Sequence, residues 1–311
     1  MKDHNMYELK RLMVGLDFSD TDASIIKYIE LMAPYFKPEK IYFTYIDTNL
    51  DLPEEIKQEL YGGTVPYDEY LRTQMEENVK KNFPSYHAYD IEFIILEGSR
   101  LSTLVKWSKV KNIDLIVIGR KSSDKSSGSF LARIARRANC SVLIVPELTD
   151  YTFEGISFCT DFSESSRFAA QKAINLAREV GDTKVYCHHV YSVPTGYHVS
   201  GKSLRGYAKI MKDHATKKFE VFVKSLNAEG VEIVPVFTLD SKGRPAKLIL
   251  EAAENVKSHL VAVSSRGRTT AASIFLGSFA EKMVIVSEKT PLLVGKPKGE
   301  ALGIIGALRS L

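Results

Sequence analysis

"LMVGLDFSDTDASIIKYIELM" (12–32) and "GISFCTDFSESSRFAAQKAINLA" (155–177) decide how this chain folds. Each is a short apolar run that ends in Asp-Phe-Ser and passes at once into a helical pattern. The two Asp-Phe-Ser copies, at 17–19 and 161–163, are 144 residues apart. A second shared element closes each half. Gly128–Ser129 precedes a helix and then "SVLIVP" (141–146), and Gly277–Ser278 precedes a helix and then "TPLLVG" (290–295), at a spacing of 149 residues. The chain is therefore read as two like domains in tandem, 1–148 and 149–297, with a tail over 298–311.

Working outward from the first copy, strands and helices alternate. Strands are expected at 11–18, 40–47, 90–98, 114–121 and 141–147. Helical patterns cover 53–61, 67–83 and 100–111, with another after Gly128–Ser129. In the second half strands are expected at 155–162, 184–193, 231–240, 260–266 and 291–296, and helices at 163–180, 205–229, 245–257 and 278–287. Ser19 and Ser163 stand where helix caps belong. The junction falls near 146–152. Strands that read as almost continuous apolar runs between helices imply a parallel sheet covered on both faces. Such doubly wound sheets bind ligands beyond the carboxyl ends of their strands, where the strand order reverses. Asp17 and Asp161 end the first strands of the two halves. The Ser/Gly-rich segments 119–129 and 264–278 follow the fourth strands.

Composition narrows the function. The chain has 311 residues, 44% hydrophobic and 26% charged, with a net charge of +4. That charge is small for the length and gives no reason to expect nucleic acid. Three scattered cysteines without a CxxC pair fit a reducing, cytoplasmic compartment. No apolar run reaches the roughly 20 residues of a membrane span. No GxSxG elbow, HExxH, P-loop or Rossmann glycine motif occurs, so no catalytic residue is assigned. Cys187, His188, His189 and His198 lie close in sequence, but alternation along a strand sends Cys187 and His189 to one face and His188 to the other, and no metal is assigned. "RIARRA" (133–138) reads as a solvated helix face. Pro245 opens the third helix of the second half.

"SSRGRTTAASIFLGS" (264–278) is the sharpest local signal. Gly267 and Gly277 have nine residues between them, and Ser278 opens a helix. Glycines admit close backbone approach. A helix start offers free N–H groups and the positive end of its dipole to phosphate. A glycine-bearing turn capped by Ser278 fits the same residues.

The order of these parts resembles the universal stress protein family, over about residues 9–297 as a tandem pair. The resemblance implies an adenine nucleotide alpha hydrolase-like α/β fold: two doubly wound five-stranded parallel sheets, each in order 3-2-1-4-5. It implies ATP, with or without Mg²⁺, bound through Gly-x2-Gly-x9-Gly-Ser/Thr, an Asp ending the first strand, and an apolar residue ending the second. In the second half these are Ser264 (in place of the first glycine), Gly267, Gly277, Ser278, Asp161 and Val190. The first half keeps Asp17, Gly119, Gly128 and Ser129. Ser122 replaces its second glycine, and its loop is four residues shorter, so it reads as a degenerate site. The family also pairs last strands across a two-fold, which implies an intrachain pseudo-dimer through "SVLIVPE" and "TPLLVGK". A homodimer of the whole chain stays open. The expected function is a stress-linked regulator that binds an adenine nucleotide, with neither nucleic acid nor membrane as partner. The alternatives are a nucleotide-free scaffold, or a slow ATPase in which Asp161 organises Mg²⁺ or water.

Overall fold

A computed structural model describes residues 8–122, 127–147, 155–201, 203–267 and 276–298. The residues 148–152 of the expected junction, the loop segments 123–126 and 268–275 and the tail beyond 298 lie outside them. The chain divides into two compact units, one holding the described residues 8–147 and 298 and the other 155–297.

The first unit runs β1 (Arg11–Leu16), α1 (Thr21–Phe36), β2 (Lys40–Asp47), α2 (Glu54–Tyr61), α3 (Tyr67–Asn82), β3 (Ile91–Glu97), α4 (Arg100–Val110), β4 (Leu115–Arg120), α5 (Ser127–Arg137) and β5 (Ser141–Pro146). Its strands are parallel and lie in the order β3-β2-β1-β4-β5. Leu12, Met13 and Val14 of β1 are fully buried. Consecutive residues of a strand face opposite ways, so both faces of the sheet must be covered. Helix α1 packs with α3 and helix α4 with α5, one pair to each face.

The second unit repeats the plan with β6 (Ile156–Cys159), α6 (Glu164–Val180), β7 (Lys184–Tyr191), α7 (Leu204–Lys224), β8 (Glu232–Leu239), α8 (Pro245–Asn255), β9 (Leu260–Ser264), α9 (Ser278–Val286) and β10 (Leu292–Gly295). The parallel order is β8-β7-β6-β9-β10, again 3-2-1-4-5 in the unit's own count. Pro235 sits inside β8, where an edge strand tolerates a residue without an N–H.

Three local expectations are corrected. The first strand of the second unit stops at Cys159, because Phe162 takes a left-handed conformation (φ 63°) that turns the chain away. Helix α7 ends at Lys224, five residues early, with Ser225 N–H on the Phe222 carbonyl. Ser19 is not a cap. Its hydroxyl donates to the Asp17 carboxylate, and α1 starts at Thr21 after Asp20. Ser163 does cap α6 and accepts from Ser166 N–H. The neighbouring carboxylate of Asp17 fixes the Ser19 hydroxyl as a donor, and no side chain caps α1.

Candidate functional site

Both units place an Asp-Phe-Ser turn at the carboxyl end of their first strand. Phe18 and Phe162 are left-handed at φ 58° and 63°, which costs roughly 1–2 kcal/mol for a residue with a Cβ. The turn is held by side chains. In the second unit Asp161 Oδ1 accepts Ser163 N–H at 3.0 Å, and Thr160 Oγ1 accepts Phe162 N–H at 2.8 Å and bonds Ser166 Oγ at 2.9 Å. Phe162 leans on the His189 ring at 4.3 Å between centroids. His189 Nδ1 lies 2.9 Å from the Thr160 carbonyl. A carbonyl only accepts, so Nδ1 carries the proton.

Above this turn lies a cavity of about 350 Å³. All six second-half candidates line it: Asp161, Val190, Ser264, Gly267, Gly277 and Ser278. Gly277 has an ordinary backbone (φ −62°) and caps α9 without a side-chain hydrogen bond. The first-turn N–H groups of α9 therefore open on the cavity as a ready anion site. A Cβ at Gly277 would stand 3.4 Å from Gly267 N, and one at Gly267 would stand 3.4 Å from Asp161 Oδ2. The loop, the helix start and the carboxylate thus lie close together, with ordinary contact room for a Cβ at either glycine. Ser264 is buried at the end of β9. His189 and Ile249 also line the cavity. Sequence reasoning set His189 aside with the metal question. Its signal was its place beside Val190 at the end of the second strand.

The first unit has its own cavity of about 350 Å³ at the equivalent place. Asp17 and Gly119 line it. Gly128 and Ser129 lie in the first turn of α5, one buried and one exposed, and are not among its lining residues. Asp17 is engaged: Lys121 Nζ meets its Oδ2 at 2.7 Å. Burial alone would raise the Asp17 pKa, but the hydrogen bonds from Lys121 and Ser19 outweigh it and hold the carboxyl below its usual range. Beneath it Asp22 accepts N–H bonds from Asp17 and Phe18 at 3.0 and 2.8 Å. Burial pushes its pKa up to about 7. The second unit has the neutral Ser166 at this position.

Cys140, Cys159 and Cys187 are buried and stand outside any disulfide. Among the described residues no three of His, Cys, Asp or Glu gather as a metal site. Nor is any described helix long and apolar enough to cross a membrane.

The family model of the universal stress protein family matches this sequence twice, over residues 8–146 and 152–295. The chain belongs to that family. Its tandem repeat is therefore two universal stress protein domains in succession. A universal stress protein of Methanocaldococcus jannaschii is 33% identical over 150 residues, 48% of this chain and 85% of that protein. A solved universal stress protein from Archaeoglobus fulgidus matches with a TM-score of 0.58 at 17% identity, covering 94% of this chain and 98% of that one. A Pseudomonas aeruginosa protein described as functionally unknown matches with a TM-score of 0.61 at 12% identity, over 99% and 100% of the two chains. The last two likenesses speak for the fold alone.

Proposed function

We propose that the protein binds an adenine nucleotide, ATP, in its second domain and acts as a cytoplasmic stress-response regulator, while the first domain's nucleotide site is degenerate. One observation carries this reading. The six residues that the family motif assigns to the nucleotide, scattered from 161 to 278 in sequence, line a single cavity. Asp161 would take the hydrogen-bond donors of the nucleoside, Val190 would pack on the base, and the start of α9 with Ser278 would hold phosphate. Mg²⁺, when bound, would neutralise phosphate charge; the protein's own contribution is the carboxylate of Asp161 and the N–H groups of α9. Regulation rather than rapid turnover fits a sequence in which no nucleophile–base motif is found. The last strands of the two domains, Ser141–Pro146 and Leu292–Gly295, would join as an intrachain pseudo-dimer, since each is an apolar strand that pairing would protect.

The first test is to denature the purified protein and assay the supernatant for nucleotides, then to titrate emptied protein with ATP. Bound or titratable ATP that is lost in Asp161→Ala supports the reading. Protein that carries no nucleotide and ignores added ATP replaces it with the scaffold.

A further inference from the structure

The first-domain cavity is not an eroded copy of the second. Its floor is Gly15, which pairs in register with Thr44 on one side and Ile118 on the other. At the 144-residue offset Cys159 and His188 occupy the places of Gly15 and Thr44, so the two domains set different residues at this point. In the first domain the space is open and mostly apolar, with Ile118, Leu104 and Phe130 among its walls. Thr44 lines it while only 1% exposed, and its Oγ1 has no hydrogen-bond partner. A buried hydroxyl left unpaired is costly, and a ligand group bonded to Thr44 would remove that cost. Ser127 Oγ, also on the wall, is likewise without a partner. The charges point the same way. Lys121 is neutralised by Asp17. Arg100, exposed at the first turn of α4, lines the cavity and forms no ion pair among the described residues. One free guanidinium beside a helix start suits one anionic group rather than a polyphosphate. The volume is about a dozen water-sized units at ~30 Å³ each.

We infer that the first domain binds a small amphipathic monocarboxylate of about a dozen heavy atoms, its carboxylate at Arg100, its apolar body over Gly15, and a hydroxyl bonded to Thr44. This site is separate from the nucleotide site proposed above and stands or falls independently of it.

The test uses the full chain and three probes: 3-(4-hydroxyphenyl)propionate, 3-phenylpropionate, which lacks the hydroxyl, and 4-ethylphenol, which lacks the carboxylate. Ligand-observed NMR and calorimetry read binding. The first probe is expected to bind at one site per chain, and each truncated probe at least tenfold more weakly. Arg100→Ala should weaken both carboxylates at least tenfold and leave 4-ethylphenol unchanged. Thr44→Val should weaken the two phenols and leave 3-phenylpropionate unchanged. Both variants should fold, because Arg100 is exposed and the Thr44 hydroxyl makes no bond to lose; a melting curve checks each. Should Thr44→Val not fold, the Arg100 arm decides alone. Asp161→Ala, in the other domain, should leave probe binding intact. The inference is overturned if the first probe fails to bind at millimolar concentration, if binding ignores both substitutions, or if ATP displaces the probe competitively.

Discussion

Two buried titratable residues, one in each domain, pull stability in opposite directions as pH changes. His188 is 1% exposed, its Nε2 is 2.8 Å from Ser157 Oγ, and its Nδ1 has no partner. Burial lowers its pKa from 6.5 to about 4. The unfolded chain binds this proton and the folded chain does not, so stability is full above about pH 6.5 and falls as pH drops towards 4. The loss is about 3 kcal/mol. Asp22 behaves the other way. Burial raises its pKa from 3.8 to about 7, so the folded chain holds a proton that the unfolded chain releases. That stability is full below about pH 4 and is lost as pH rises to about 7, by about 4 kcal/mol. Chemical denaturation followed from pH 4 to 8 should therefore change slope in opposite senses in two variants. His188→Gln removes the acid-side loss, and Asp22→Asn removes the loss towards neutral pH. An unchanged slope in His188→Gln would mean that the ring is solvated in the native protein. Neither residue could be assigned this behaviour from sequence. The histidine run suggested chemistry, but the orphaned Nδ1 arises only when both faces of β7 are covered. Asp22 reads as an ordinary first-turn acid until the Asp17 and Phe18 amides are seen to point at it.

At the scale of elements, the domains solve one packing problem twice with different residue pairs. A Cβ at Gly119 would stand 2.5 Å from Thr21 Cγ2 and 2.7 Å from Ile25 Cδ1, so the glycine is what lets α1 lie close on β4. The second domain has Ser264 on the strand and, at the 144-residue offset from Ile25, Ala169 on the helix. The bulk has moved from helix to strand. Ser264, a departure from the family glycine, is thus matched by a smaller residue at the helix position equivalent to Ile25. Gly119→Ala is expected to destabilise by about 1–3 kcal/mol, with much of the loss recovered in Gly119→Ala/Ile25→Ala. Ser264→Gly should leave stability near that of the parent. Thermal melts of the four proteins decide, and a harmless Gly119→Ala would show that α1 does not depend on the glycine. The sequence made the elements themselves legible. β2, α2 and α3 begin and end within a residue of where periodicity puts them, because each is bounded by strong turn residues. Boundaries failed where a side-chain hydrogen bond overrode propensity, as at Ser19, or where a left-handed Phe ended a strand. Lys121 was missed as the partner of Asp17 because only the fold of β4 against β1 brings them together.

For the whole molecule, the question is how many nucleotides one chain holds. Length, repeat and motif spacing all point to two domains of one fold, yet the chemistry at the two cavities differs. In the first, the equivalent carboxylate is already paired with Lys121, and the loop is four residues shorter. In the second, Gly267 lies beside the Asp161 carboxylate and against Gly277 at the start of α9. ATP should therefore bind once per chain. Hydrolysis should stay far below the enzyme median of about 10 s⁻¹, because the sequence carries no recognisable nucleophile–base motif. A rate near that median, abolished by Asp161→Asn, would make this an enzyme. The stoichiometry is tested most directly at α9. Gly277 has φ −62° and room for a Cβ at 3.4 Å from its nearest neighbour, so Gly277→Val should fold. Its branched side chain would occupy the space at the helix start that phosphate needs. Calorimetric titration is expected to give one site in the parent and none in Gly277→Val. Ser129→Val, at the exposed first turn of α5 in the other domain, should keep the single site. Two equivalent sites in the parent, or loss of binding in Ser129→Val alone, would move the nucleotide out of the second domain.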